Sequence, residues 1–268
     1  MELRSIRAPI IAIVIFEALA LFAREFARRQ LLDSGYASDY AKDLSYLVVP
    51  IVLGLLMWPI LRQQWPHIRH IFRFDALTAK IVISGVLVGL LLRIAWWAQL
   101  ATRISFGMTG TDNTNRVIGP LFHFNCPPPA VLLLGLVVTA VLIPIIEETV
   151  HRGLLLSALL HRGRLAAIIL STLIFTVAHN PSSYVAVYLM GLVLAVQYTM
   201  PGALWFSIAT HATYNGLIQF DWYCINGQWN PPAAQLPLLP VGLSALIVLL
   251  VAFASICLVL RANRTGAP

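Results

Sequence analysis

Residues 143–155 read IPIIEETVHRGLL, with Glu147, Glu148, His151 and Arg152 set inside an otherwise aliphatic run. The apolar run around them extends from about residue 130 to residue 160, longer than the ~20 residues a helix needs to cross a hydrocarbon core. The stretch therefore reads as a membrane helix that carries charge at depth. Even on the lenient insertion scale such a side chain costs about 2.5–3.5 kcal/mol, so each is expected to face a partner or a cavity.

The rest of the chain agrees with a membrane setting. Of its 268 residues 59% are hydrophobic and 11% are charged, and the mean hydropathy is +0.81, whereas about a quarter of a soluble domain's residues are charged. The formal charge of +7 would suit nucleic acid if it were clustered. Here the Lys and Arg residues stand in small groups at the ends of apolar runs, which is a topology signal and excludes a nucleic-acid partner. Three cysteines without a CxxC or a paired His motif give neither a disulfide scaffold nor a zinc finger.

Apolar runs near 6–27, 44–61, 80–101, 130–160, 165–179, 183–200, 202–220 and 238–260 predict an all-α, polytopic protein of about eight transmembrane helices. Residues 1–268 form one integral-membrane domain whose motif-bearing core is about 130–220. Glu17 interrupts the first run, so that run reads as an uncleaved span. With both termini cytoplasmic, eleven Lys and Arg, Arg152 among them, lie inside and six outside, which favours this orientation. It places Cys126 and Cys224 outside, where a disulfide between them is geometrically possible. The Arg-rich, Lys-poor composition points to a bacterial cytoplasmic membrane.

Spacing pairs the polar intrusions. Glu148 and Arg152 are four apart and share a helix face, while Glu147 is turned ~100° away and needs a partner from another helix. Phe175 and His179 stack within LIFTVAHNP, as do His211 and Asn215 within SIATHATYNG. Glu147 and His179 each lie 16 residues from Gly163, so a hairpin turning there brings them to one height. His211 lies about 15 Å past the turn at Pro201-Gly202, at 1.5 Å per residue. Taken singly, each of these is a packing residue or a structural ion pair, and His67, His70, His123 and His161 read as loop or interface residues. Together, at compatible depth, they form a candidate site.

EETVHR, FTVAH and HATYN, in that order on three spans, fit EExxxR, FxxxH and HxxxN and resemble the CPBP family of intramembrane proteases, which includes the CaaX prenyl endopeptidase and bacterial relatives of abortive-infection type. The resemblance implies that Glu147 and His179 activate water, that His211 and Asn215 stabilise the oxyanion, and that Glu148 and Arg152 support them. It also implies a membrane-anchored protein or peptide as substrate, such as a peptide pheromone, a bacteriocin leader or a sorting tail. His151 departs from the pattern, which commonly has an aromatic residue there. The residues alone also admit other readings. One is a zinc-dependent protease with Glu147, His179 and His211 as ligands, although the HExxH motif is absent. A proton path would call for matching half-chain repeats, which are not evident. A non-catalytic immunity or scaffold protein would be expected to lose a motif residue, and none is lost.

Overall fold

The computed structural model describes residues 6–105, 129–179, 181–200, 203–219 and 250. Among them there is no strand. The helices are α1 (Ile10–Asp33), α2 (Ser38–Tyr46), α3 (Val48–Gln63), α4 (Trp65–Ile71) and α5 (Ala79–Ser105). They are followed by a long helix α6 (Pro129–Arg162), then α7 (Arg164–Val177), α8 (Tyr184–Thr199) and α9 (Trp205–Gln219).

Among the described residues three helical segments are long and apolar enough to cross a membrane: Tyr40–Gln63, Ala79–Trp96 and Pro129–Arg162. These coincide with three of the expected spans. The remaining helices do not confirm the expected count of about eight spans. The 14 residues of α7, 16 of α8 and 15 of α9 rise about 21–24 Å at 1.5 Å per residue, short of the ~30 Å core. Apolar runs measure composition, whereas turns at the ends of each run shorten the helix within it. α1 reaches Asp33, beyond the expected end near residue 27, and carries Glu17 and Arg24 followed by a cluster in which Glu25 binds Arg28 at 2.8 Å and Arg29 at 3.0 Å. It is not among the three apolar crossings. The span near 238–260 and all three cysteines lie outside the described residues.

A large part of the apolar surface faces outward. Ile11, Phe22, Leu55, Trp58, Ile83, Leu133, Val177 and Val185 are exposed large hydrophobic side chains spread over six helices. Water would make such a surface a liability; lipid is the solvent that accommodates it. Inside, Ile13 of α1, Leu53 and Met57 of α3, Leu154–Leu156 of α6, Ile168 of α7 and Leu204 before α9 form one buried cluster. Leu92, Phe175, Met190, Leu194 and Tyr214 form another, beneath the polar residues.

Two connections position the site. Gly163, with φ 92°, occupies the left-handed region that glycine enters without penalty, and reverses the chain between α6 and α7 as expected. The α5–α9 crossing uses Gly85 and Gly89, four apart in GVLVG. A Cβ on Gly85 would lie 2.6 Å from Ala209 Cβ, and one on Gly89 would lie 2.7 Å from the Thr210 carbonyl oxygen. Small residues at this spacing let two membrane helices approach closely. Thr210 then donates to the Gly85 carbonyl at 3.1 Å and accepts from Gln197 of α8 at 2.9 Å, so the residue next to His211 is fixed from two sides.

Candidate active site

The ionisable residues of α6 sit where the helix changes its winding. Leu136–Leu142 and Thr149–Leu156 are π-helical, and Ile143–Glu148 between them is α-helical. Such i→i+5 segments are rare and gather at functional sites. Their consequence is visible at Thr139. The Ile143 N–H bonds back to Val138 O, and Pro144 has no N–H to offer, so neither can serve the Thr139 carbonyl. Asn215 of α9 takes that role, with Nδ2 donating to Thr139 O at 2.9 Å. One amide hydrogen of Asn215 is thus committed and the second remains for a ligand.

The adjacent glutamates have different surroundings. Glu148 is 0% exposed, and its Oε1 accepts from Arg152 Nη1 at 3.0 Å and His211 Nδ1 at 2.9 Å. Arg152 is as deeply buried; its Nη2 donates to Gly191 O at 3.1 Å and its guanidinium lies 4.4 Å from the centre of the Phe175 ring. A Cβ at position 191 would stand 3.2 Å from Phe175 Cδ1 and 3.7 Å from Arg152 Nη2, which explains glycine beside that carbonyl. Glu147 keeps 20% of its side chain exposed, and its Oε2 lies 3.6 Å from His211 Nε2. The pairing of Glu148 with Arg152 follows the sequence reading, as does the need of Glu147 for a partner from another helix. That partner is His211, and no hydrogen bond or ion pair joins Glu147 to His179.

The burial of Arg152 also revises the topology count. It was counted as an inner flanking charge, but it lies inside the helix and carries no weight in the positive-inside balance.

His179 lies just past the last turn of α7. The His179 N–H bonds to Thr176 O in a tightened turn, leaving the Phe175 carbonyl free, and the imidazole Nδ1 lies 2.8 Å from that carbonyl. A carbonyl only accepts, so Nδ1 carries the hydrogen, which in the neutral imidazole leaves the lone pair on Nε2. The Phe175 ring is the hub of the site, 4.6 Å from the His179 ring, 4.9 Å from His151 and 6.1 Å from His211, centre to centre.

One site residue escaped the sequence reading. His151, only 1% exposed, places Nε2 2.7 Å from Glu17 Oε1 of α1. Glu17 was read only as an interruption of an apolar run. The run IIAIVIFEALALF at 10–22 shows the same kind of intrusion as 143–155, and that was the available signal. Among the interface histidines, His67 of α4 contacts Gly153 O at 2.9 Å, and His161 contacts Ala158 O at 2.7 Å; His123 lies outside the described residues.

Among the described residues no group of three or more His, Cys, Asp or Glu side chains is placed to hold a metal ion. Glu147, His179 and His211, the set weighed as zinc ligands in the alternative reading, are not such a group as these side chains stand.

Residues 129–217 match the family described as type II CAAX prenyl endopeptidase Rce1-like. The match runs from α6 into α9, contains all seven motif residues and bears out the resemblance read from EETVHR, FTVAH and HATYN. α1–α5 lie outside it. No curated protein and no solved structure matches the chain.

Proposed function

We propose that the chain is an intramembrane endopeptidase that hydrolyses a peptide bond in a membrane-anchored protein or peptide without a metal, Glu147 being the general base. The observation that carries this reading is the contrast between two adjacent carboxylates around one imidazole. Glu148 is sealed and neutralised by Arg152 and His211, while Glu147 remains one-fifth exposed with His211 Nε2 3.6 Å away. Only Glu147 can meet water.

In this mechanism Glu147 takes one proton from water, and His179 Nε2 accepts a hydrogen bond from the other hydrogen and orients the oxygen. The hydroxide adds to the scissile carbonyl carbon. The resulting oxyanion is held by His211 Nε2–H and the second N–H of Asn215, prepositioned donors in a site with little water. Collapse breaks the C–N bond, and the proton on Glu147 passes to the departing amine. The water's hydroxyl ends on the acyl group and its proton on the nitrogen. For His211 to donate from both nitrogens it carries both protons, with Glu148 as counter-charge. Glu148 and Arg152 act through this imidazole rather than on the substrate.

The family description supports a lipid-modified CAAX terminus as one substrate class; peptide pheromone precursors, bacteriocin leaders and sorting tails are the others. A fluorogenic farnesylated CAAX peptide offered to purified protein in detergent, alongside a comparison of membrane-peptide fragments in cells carrying wild-type or Glu147→Ala protein, tests the reading. Fragments present only with wild type support it, and identical fragment sets with no peptide cleavage overturn it. Zinc dependence is tested by the same assay after exhaustive chelation, which should leave the activity intact.

The setting proposed is a bacterial cytoplasmic membrane with both termini inside and the site opening to the outer half of the bilayer. Membrane-impermeant thiol labelling of Cys126 and Cys224 in intact cells, with and without reduction, checks it. Labelling only after lysis reverses the orientation.

A further inference from the structure

Glu17 stands on α1, outside the segment that matches the peptidase family, yet it meets the core of the site. Its Oε1 lies 2.7 Å from His151 Nε2, and its side chain is 13% exposed against 1% for the histidine. A carboxylate accepts, so Nε2 carries a hydrogen in this contact. The His151 ring then stands edge-on to Phe175 at 4.9 Å, interplanar angle 82°. Phe175 in turn seats His179, through ring contact at 4.6 Å and through its carbonyl at 2.8 Å. Glu17 also lies within electrostatic reach of His179 and Arg152. It brings the carboxylates around Phe175 to three, with Glu147 and Glu148, against the guanidinium of Arg152 and the imidazole of His211, which carries both protons in the mechanism above.

We propose that Glu17 is a positioning residue of the proteolytic centre: seated on His151, its carboxylate orients the Phe175–His179 unit and adds a third negative charge to the chamber. The proposal rests on the endopeptidase reading. A carboxylate that fixes the tautomer and orientation of an imidazole is a familiar device of hydrolytic sites. The competing role is a plain strut fastening α1 to α6. The two differ in what they require. A strut needs only complementary packing, and replacing both members of a buried polar pair by apolar residues of similar size is often neutral for stability. A positioning carboxylate requires the charge itself.

Glu17→Gln, which keeps an acceptor for His151 and removes the charge, and the double variant Glu17→Leu/His151→Phe, which removes the polar pair but keeps a ring against Phe175, are compared with wild type as purified proteins in detergent. The readouts are cleavage of the farnesylated CAAX peptide and the resonances of ¹⁵N-labelled histidines. Both variants should keep the wild-type melting temperature and a KM within about twofold, and lose about 10–100-fold in kcat, the usual effect of losing a partner that orients a reacting group. Glu17→Asp should recover most of the loss. The His179 resonances should shift in both variants. A double variant with wild-type kcat, or His179 resonances unmoved by Glu17→Gln, overturns the proposal. The resonances report on it even if the wild type leaves this peptide intact, which would count against the endopeptidase reading, whereas cleavage that survives Glu147→Gln removes Glu147 from the role of base and leaves the Glu17 result standing.

Discussion

His211 donates from Nδ1 to Glu148 Oε1 at 2.9 Å, and the same ring turns Nε2 toward Glu147 Oε2 at 3.6 Å. One imidazole from α9 therefore faces both members of the glutamate pair on α6. Its short contact is to the carboxylate that Arg152 already neutralises, and the looser one is to the carboxylate that water can reach. The longer separation exceeds hydrogen-bond length, so Glu147 is not locked and its proton-accepting oxygen remains available.

Glu147→Gln should abolish turnover and leave folding and substrate binding intact. The amide fills the same partly exposed space but cannot take a proton, so the loss falls on kcat rather than on KM. Peptide cleavage and a binding measurement on the same purified variant check this. Retained turnover would remove Glu147 from the role of base.

Arg152→Ala should unfold the site as well as silence it. It removes the partner of a fully buried carboxylate and the donor to Gly191 O, a type of change that costs about 3–5 kcal/mol. Arg152→Lys should be little better, because a point-like ammonium cannot reproduce a planar group that binds Glu148 and Gly191 at once while lying over Phe175. Thermal denaturation in detergent separates this pair from Glu147→Gln. A fully stable, inactive Arg152→Ala protein would mean that the arginine touches the substrate.

Much of the site is legible in the sequence because membrane burial makes each polar residue conspicuous. Glu148 and Arg152 pair by helix spacing alone, and the Gly163 turn is visible as a basic break between apolar runs. What spacing could not provide is winding and cross-helix contact. The two π-helical segments leave the Thr139 carbonyl without a main-chain donor, and that sends the Asn215 amide to it. Equal depth suggested that Glu147 meets His179, but the tightened turn after Thr176 commits the His179 Nδ1 to Phe175 O, and His211 takes the nearer position. Helix length was legible only for the runs that no turn shortens, which is why about eight spans were expected and three full-length crossings stand among the described residues. Glu17 was passed over because it lies more than a hundred residues from its partner, and no periodicity within one helix reports such a pair.

Asn215→Ala should lower kcat by about 10²–10³, the usual effect of losing one oxyanion donor. It should also cost about 1–3 kcal/mol in stability, since the Thr139 carbonyl loses the side chain that satisfies it. The two effects can be separated. Thr139 is joined through its main chain, so Thr139→Val leaves the Asn215 contact in place and should leave kcat near wild type. A large kcat defect in Thr139→Val would mean that the hydroxyl, and not the Asn215 amide, is the group that matters. Steady-state kinetics and melting temperatures of the two variants decide it.

Gly89→Ala tests whether the α5–α9 crossing sets the catalytic geometry from a distance. The added Cβ would lie 2.7 Å from both the Thr210 carbonyl oxygen and Thr213 Cβ. The oxygen belongs to backbone and cannot swing aside, so α9 must shift. Overpacking of this kind costs about 1–3 kcal/mol. The larger consequence is for His211, the residue after Thr210, whose two contacts with the glutamates depend on the position of α9. A displacement near 1 Å at a reacting group can cost about 10²-fold in rate, so the variant should fold, with a lowered melting temperature, and lose activity far out of proportion to its loss of stability. Gly54→Ala, where an added Cβ meets nothing within 4 Å, serves as the control and should match wild type in both measurements. Full activity in Gly89→Ala would show that the His211–Glu148 contact tolerates movement of α9, and that the close crossing serves packing alone.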